Sequence, residues 1–323
     1  MTPSNPAFAL SVVVPVFNGA ASLPGLAAAL SRLEVPGGME IVLVNDGSSD
    51  NSLEVCRAIC RQNEAAVTVV NLARNFGEHN AVMAGLGVAR GEYVITMDDD
   101  LQNPPEEVLR LFRHTAENGF DVVYTHYAMK QHGAWRNFGS AFANWCAGWL
   151  LDKPKDLYLS SFRCMSGLTV ASILEHTGPY PYIDGLILQA TQNIGRLQVA
   201  HLERAEGRSN YTLRRLMRLF FAMFFNFSVM PLRIATVGGA LMALLGLCGF
   251  VAVIVEALGP GTPSGWASLM SATLLLSGVQ LVMLGMLGEY LGRMFLAING
   301  KPQFVVREVH RSERAAQAPT RAA

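Results

Sequence analysis

Three consecutive acids, Asp98, Asp99 and Asp100, precede Leu101, Gln102, Asn103 and two prolines. Like charges crowded together repel unless a cation sits among them. At the end of a strand side chains alternate, so Asp98 and Asp100 would face one way and Asp99 the other. Two hard carboxylates with the Gln102 carbonyl suit Mg2+ or Mn2+, with phosphate oxygens completing an octahedron. An acidic loop that opens the next helix, where negative charge favours the dipole, fits the same residues equally well. Asp46 stands in Asn45-Asp46-Gly47-Ser48, a good turn sequence. Asp184 follows Tyr180-Pro181-Tyr182-Ile183 and begins a helix-like run. It reads either as an acid complementing a helix N-terminus or as a general base. No GxxxxGK[ST] occurs, and Gly85-Leu86-Gly87 lies late in a helix-like stretch, which points to close helix packing rather than a dinucleotide turn.

The elements that position these residues are legible as alternating patterns. Apolar, β-branched runs occur at Leu10–Val16, Glu40–Asn45, Val67–Leu72, Glu92–Met97 and Asp121–Thr125. Helix-like stretches lie between them at Ala20–Leu33, Ser52–Gln62, Glu78–Ala89 and Pro105–Asn118. Strands alternating with helices of this size imply βαβ units and a buried parallel sheet. Ser22 and Ser49–Asn51 are suited to cap the first two helices. Ligands of such sheets bind at the carboxyl ends of the strands. That directs attention to Pro15–Gly19, Asp46–Asp50, Arg74–His79 and Asp98–Asn103. The five cysteines (Cys56, Cys60, Cys146, Cys164, Cys248) form no CxxC pair and read as reduced packing residues.

The chain has 323 residues, 25 Lys+Arg against 25 Asp+Glu, only 15% charged residues and a mean hydropathy of +0.28. Zero net charge gives no basic field for a nucleic acid, and the shortage of charge argues against a disordered or wholly soluble chain. The apolar excess is concentrated. Ile234–Val255 and Ala267–Gly288 each run 22 residues without a charge, which is about 33 Å of helix and enough to cross a bilayer core. Six Arg lie from Arg204 to Arg233 and six Lys or Arg follow the second span, while the connecting loop has none. The positive-inside rule therefore places both flanks, both termini and the preceding domain in the cytoplasm. Thr212–Met230 joins Arg214, Arg215 and Arg218 to five phenylalanines, a pattern suited to a helix lying in the headgroup layer. Gly238, Gly239, Gly246 and Gly249 suit helix packing within the hairpin or between copies in a homo-oligomer.

Five segments occur in a fixed order: VPVFNGAASL, VNDGSSDNS, LARNFGEHNAVMAG, GEYVITMDDDLQNPPEEV and ERAEGRSNY, with the helical hairpin after them. The ensemble resembles the family 2 glycosyltransferases of GT-A fold. More narrowly it is similar to the membrane-anchored polyprenyl-phosphate glycosyltransferases of the dolichol-phosphate mannose synthase type. The resemblance implies an α/β GT-A domain, Rossmann-like with a mostly parallel sheet, over residues 1–211. An amphipathic interfacial helix over 212–233 would follow. Residues 234–323 would hold two transmembrane helices, about 234–256 and 267–289, and a cytoplasmic tail.

The resemblance also implies roles. Pro15, Phe17 and Asp46 would hold the nucleoside of a UDP- or GDP-sugar. Asp98, Asp100 and Gln102 would hold Mg2+ or Mn2+ on the diphosphate, and Arg74 would support that charge. The family's usual Glu after the Asn of the first motif is absent, and Gly19 stands there. Lys130, Arg136, Arg163 and Arg204 are candidates for an acceptor phosphate, with His126 near a position where relatives often carry Arg. In Ser161-Phe162-Arg163 the acid often found before the Phe-Arg pair is missing. The implied reaction is inverting sugar transfer to polyprenyl (undecaprenyl) phosphate at the cytoplasmic face of the inner membrane. A phosphate arrives largely ionised and needs no strong base. The rival activity is transfer to a hydroxyl of a lipid-linked saccharide with Asp184 as base. A non-catalytic membrane scaffold is the third reading.

Overall fold

The computed structural model describes residues 7–62, 65–127, 157–200 and 265–317, with isolated helical positions between 237 and 248. The first five strands are β1 (Phe8–Val16), β2 (Met39–Asn45), β3 (Ala66–Leu72), β4 (Gly91–Thr96) and β5 (Val122–Tyr127). They alternate with α1 (Leu23–Ser31), α2 (Ser52–Gln62), α3 (Glu78–Val88) and α4 (Pro105–Glu117), matching the expected runs to within a few residues. There follow β6 (Arg163–Ser166), α5 (Gly167–Leu174), α6 (Ile183–Ala190), β7 (Ile194–Val199), α7 (Trp266–Ile298), β8 (Val306–Arg311) and α8 (Glu313–Gln317).

One eight-stranded sheet has the order β7-β5-β6-β4-β1-β2-β3-β8. β1 pairs in parallel with β2 and β4, β2 with β3, and β5 with β7; β6 and β8 are the antiparallel members. The chain moves outward from β1 through β2 and β3, then returns to place β4 on the other side of β1. That reversal opens a crevice beyond the carboxyl ends of β1 and β4, the usual ligand position in an open α/β sheet.

The central strands are covered on both faces, which is why they read as unbroken apolar runs. Leu10, Val12, Val14 and Val16 meet Leu23, Leu26 and Leu30 of α1 together with Cys56 and Cys60 of α2. Each such buried aliphatic side chain contributes about 1.5–3 kcal/mol. On the other face, a Cβ on Gly85 would overlap Val13 and come within 3.0 Å of Val44 Cγ2. The glycine thus lets α3 lie directly on β1 and β2, as expected for this pair of glycines; Gly87 has no comparable constraint. Ser22 precedes α1, but its hydroxyl donates back to the Gly19 carbonyl at 3.0 Å and caps no helical N–H. At α2 the cap comes from Asp50, whose Oδ1 accepts from the Ser52 N–H at 3.1 Å.

The chain divides into two units, 1–212 with 301–323, and 213–300. The tail after the second unit is therefore not a loose appendage. β8 extends the sheet beside β3, and α8 supplies the Ala315 carbonyl that accepts from Arg90 Nη1 at 2.8 Å. Within the second unit, a Cβ on Gly239 would come 3.3 Å from Met283 Cε of α7, so this small residue serves packing inside the hairpin. Among the described residues no helix is long and apolar enough to cross a membrane. The expected 234–256 span lies almost wholly outside them. The expected 267–289 span falls within α7, a helix of 33 residues whose Leu269, Leu281, Leu284 and Leu291 are exposed. The membrane assignment rests at this point on the sequence.

Candidate active site

The loops after β1, β2, β3 and β4 converge on the crevice between β1 and β4. The β1 loop is fixed by the loop before α2. Asn18 N–H donates to Ser48 Oγ at 3.1 Å, Gly19 N–H to Ser52 Oγ at 3.0 Å, and Asn18 Oδ1 accepts from Ser49 N–H at 2.9 Å. Asn18 adopts the left-handed conformation (φ 56°) that this tight passage requires. Phe17 is left 53% exposed beside it, and Pro15 is half-buried.

Asp46 is buried, and both its oxygens are engaged. They accept from the Phe76 and Gly77 N–H groups at 2.7 and 2.9 Å. Burial raises its carboxyl above the ordinary value while these two bonds pull it down. Asp46 therefore ties the β2 loop to the β3 loop. Gly47, at φ +61°, permits the same approach, since a Cβ there would strike the Arg74–Asn75 backbone, with Arg74 Cα at 3.0 Å. Arg74 is exposed, its guanidinium carbon 4.4 Å from the centroid of the Phe76 ring.

The acids lie beyond the end of β4, in the turn that leads to α4. Asp98 Oδ2 accepts from Ser161 Oγ at 2.8 Å. Burial first, then the charges of Glu78 and Asp100, push its carboxyl up to about 6; the Ser161 bond and Arg163 act the other way. Where an acid is expected, Ser161 thus supplies a hydroxyl that steadies Asp98 instead of repelling it. Asp100 Oδ1 accepts from the Gln102 N–H at 3.2 Å. Leu101 turns between them at φ 58°. Asp99 goes to the opposite side, against Gly19.

Among the described residues no group of three or more His, Cys, Asp or Glu could by itself hold a metal ion. Asp98 and Asp100 form a two-carboxylate pair whose mutual repulsion and raised Asp98 pKa fit a divalent cation completed by phosphate oxygens. Gln102 enters this turn through its N–H.

Asp184 stands in the first turn of α6, as the sequence suggested, and Arg163 lies against it. Arg163 is 3% exposed and ion-paired with Asp184, itself 8% exposed, and the Tyr124 hydroxyl donates to Asp184 Oδ1 at 2.9 Å. Burial opposes the charge on Arg163, but Asp184 and Tyr124 outweigh it and keep the guanidinium charged. Arg163 is thus a buried partner of Asp184, and both Arg163 and Tyr124 engage the same Asp184 oxygen, Oδ1. His79 stacks edge-on against Tyr182, ring centroids 5.3 Å apart, and burial holds its pKa below the ordinary value. His126 is half-buried in β5. Lys130, Arg136, Arg204 and the interfacial stretch 212–230 lie outside the described residues. Sequence reasoning missed Tyr124, and it gave Glu78 and His79 no role although both lie in the Arg74–His79 segment it singled out. A Glu at a helix start reads as a dipole partner, and nothing in the chain order ties Tyr124 to Asp184.

Comparison with known proteins decides the family. The Glycosyl transferase family 2 profile matches residues 11–164, and the GtrB C-terminal hairpin profile matches residues 230–294. The undecaprenyl-phosphate 4-deoxy-4-formamido-L-arabinose transferase of Pseudomonas aeruginosa is 37% identical over 314 residues, covering 94% of this chain and 91% of that protein. The chain belongs to the family 2 glycosyltransferases. It is a glycosyltransferase with a GT-A domain and a GtrB-type C-terminal hairpin. The transferase of the same description from Serratia proteamaculans is 36% identical, covering 93% of each chain. The one from Yersinia pestis is 34% identical, covering 96% of each. Glucosyl-3-phosphoglycerate synthase from Mycobacterium tuberculosis, solved with Mn2+, UDP and glucosyl-3-phosphoglycerate, shares the fold. Its TM-score is 0.50 at 19% identity, over 68% of this chain and 79% of that one.

Proposed function

We propose that this glycosyltransferase moves a sugar from a nucleoside-diphosphate sugar to undecaprenyl phosphate at the cytoplasmic face of the membrane. The observation that carries the acceptor assignment is the Arg163–Asp184 pair. A sugar hydroxyl needs a base to remove its proton as it attacks. Asp184, the side chain best suited by sequence, is buried and committed to Arg163 and Tyr124. A phosphate monoester, largely ionised at neutral pH, needs none. The relatives, undecaprenyl-phosphate sugar transferases by name, support the same acceptor.

In this reading Phe17, Pro15 and the Asp46-tied loops hold the nucleoside, and Arg74 stands near the diphosphate. Asp98 and Asp100 would hold Mg2+ or Mn2+, which supplies positive charge to the departing diphosphate. Ser161 orients the Asp98 carboxylate for that task. The acceptor's phosphate oxygen attacks the anomeric carbon from the face opposite the leaving group, which inverts the configuration. Lys130, Arg136 and Arg204 supply the cationic side of the acceptor pocket. The hairpin, spanning at about 234–256 and 267–289, and the basic aromatic stretch 212–233 hold the domain at the lipid surface where the acceptor resides.

A labelled donor panel tests this on the full chain in membranes, with undecaprenyl phosphate or a lipid-linked saccharide as acceptor, and with or without Mg2+ or Mn2+. Incorporation into undecaprenyl phosphate, lost on chelation, is expected. Incorporation only into the saccharide would overturn the acceptor assignment.

A further inference from the structure

α7 ends at Ile298, and from Lys301 the chain belongs again to the unit that holds the sheet. The short stretch Lys301–Arg307 leads into β8. On its way it grips two separate loops at the carboxyl edge of the sheet, where the candidate active site lies.

The first loop, residues 175–182, joins α5 to α6. Gln303 Nε2 donates to the Gly178 carbonyl at 2.9 Å and to the His176 carbonyl at 3.4 Å. A side-chain amide carries two N–H donors, and this one turns both toward a single bend of chain. Lys301 adds its ammonium, 3.2 Å from the Tyr180 hydroxyl and 5.1 Å from the centre of that ring. Gly178 lets the bend fold over His176, since a Cβ there would come 2.9 Å from the imidazole Cε1 and Nε2.

The second loop follows β3 and carries Arg74. The Val305 carbonyl accepts from the Ala73 N–H at 2.9 Å, and Arg307 Nη2 donates to the Ala73 carbonyl at 3.3 Å. Both backbone groups of the residue before Arg74 are therefore held by the tail. The two loops also meet each other directly. Tyr182, at the end of the first, packs edge-on against His79, just beyond the second, with ring centroids 5.3 Å apart.

These contacts close a ring. It runs from Gln303 through the 175–182 bend to Tyr182, across to His79, back along the Arg74 loop to Ala73, and so to Val305. The Phe76 and Gly77 N–H groups that hold Asp46 lie on it. Opening one link of a closed ring frees the others to shift, and Gln303 is a link that a substitution can open without removing a strand.

We propose that Gln303 is a positioning residue of the donor site. By tying the 175–182 bend to the tail it completes the ring and holds residues 74–77 where they meet the donor nucleotide. This inference rests on the donor reading proposed above. Gln303 acts through the two loops, and the tail thereby serves the reaction as well as the sheet.

The test uses the purified full chain and UDP or GDP, whichever the parent binds more tightly, by titration calorimetry with Mn2+. Gln303→Glu keeps the shape but turns an acceptor toward two carbonyls. It should weaken nucleotide binding about fivefold or more. Gln303→Lys, which returns N–H donors to both carbonyls, should bind to within about twofold of the parent. Hydrogen exchange reads the ring without a ligand. In Gln303→Glu residues 73–79 should lose protection together with 175–182, while β1 and β2 keep theirs. Thermal melts confirm that each variant is folded. If Gln303→Glu loosens only 175–182, or only lowers the melting temperature, while nucleotide affinity and the protection of 73–79 match the parent, Gln303 supports the fold alone and the proposal is wrong. If the parent binds neither nucleotide while 73–79 still loosens in Gln303→Glu, the positioning of the Arg74 loop stands and the donor reading fails.

Discussion

The Arg163 guanidinium and the Asp184 carboxylate are buried against each other, and the Tyr124 hydroxyl donates to the same Asp184 oxygen. β6 carries Arg163 between Thr96 of β4 and Tyr124 of β5, while the first turn of α6 carries Asp184. A buried pair of this kind is a weak source of net stability, but removing one member strands the other. Asp184→Ala should therefore lower unfolding stability by about 3–5 kcal/mol. Replacing both, as Arg163→Met with Asp184→Leu, should recover most of it. Thermal unfolding of the purified chain decides this. Equal losses in the single and double variants would show that Asp184 matters for something other than its partner.

Asp98 and Asp100 should behave in the opposite way. In the proposed reading each would hold the cation on the donor, and Asp98 is held in a site whose burial and neighbouring acids disfavour its ionised form. Asp98→Ala and Asp100→Ala should each reduce sugar transfer about 100-fold or more, without lowering the melting temperature in the metal-free state. A variant that loses stability and activity together would indicate a structural role for these acids.

The sheet from β1 to β5 was legible because its strands are buried on both faces and its helices carry one apolar stripe. Leu10–Val16 and Val67–Leu72 could be little else. β7 was readable in principle, since Gly195, Leu197 and Val199 alternate with Ile194, Arg196 and Gln198. β6 was not, being four residues long, nor was β8, whose sequence VREVHR has no apolar face because it lies at the sheet edge. The positions of the β1 and β2 loops and of the acids after β4 were legible from residue type and order. The partners of Arg163 and Asp98 were not, because they come from elements far apart in the chain. Gly19 was visible as a departure, but only packing reveals that Asp99 fills its place.

His79 introduces a pH dependence unrelated to the metal acids. Burial lowers its pKa, the Asp184 charge works against that shift, and the Arg163 charge adds to it. The unfolded ring titrates near 6.5, above the folded value. Stability from the neutral ring is thus complete above pH 6.5 and is lost as pH falls through the folded pKa. Between pH 7.5 and 5.5 the parent chain should lose stability that His79→Gln retains, by about 1.4 kcal/mol for each unit that the folded pKa is depressed. Parallel pH profiles for the two chains would remove His79 as the source.

The segment after the hairpin is built into the sheet of the catalytic domain. Asn45 donates to Asn71 at 2.9 Å, Asn71 donates to Glu308 at 3.0 Å, and Arg57 pairs with Glu308, so a polar ladder runs from β2 across β3 into β8. Ser312 receives the Val67 N–H at 3.0 Å and returns its own N–H to the Val67 carbonyl at 2.9 Å. Arg90, paired with the fully buried Glu40, spends one nitrogen on Ala315. Ending the chain at Lys301 would strip β3 of its neighbour, exposing an apolar edge strand that invites aggregation. It would also leave a buried Arg90 nitrogen without its acceptor, at a cost of about 1–3 kcal/mol. The shortened chain should melt lower than the parent and aggregate on heating, while Glu308→Ala alone, at a surface pair, should lower the melting temperature less than the truncation does. An unchanged melting temperature after truncation would mean that β8 and α8 decorate the sheet without supporting it.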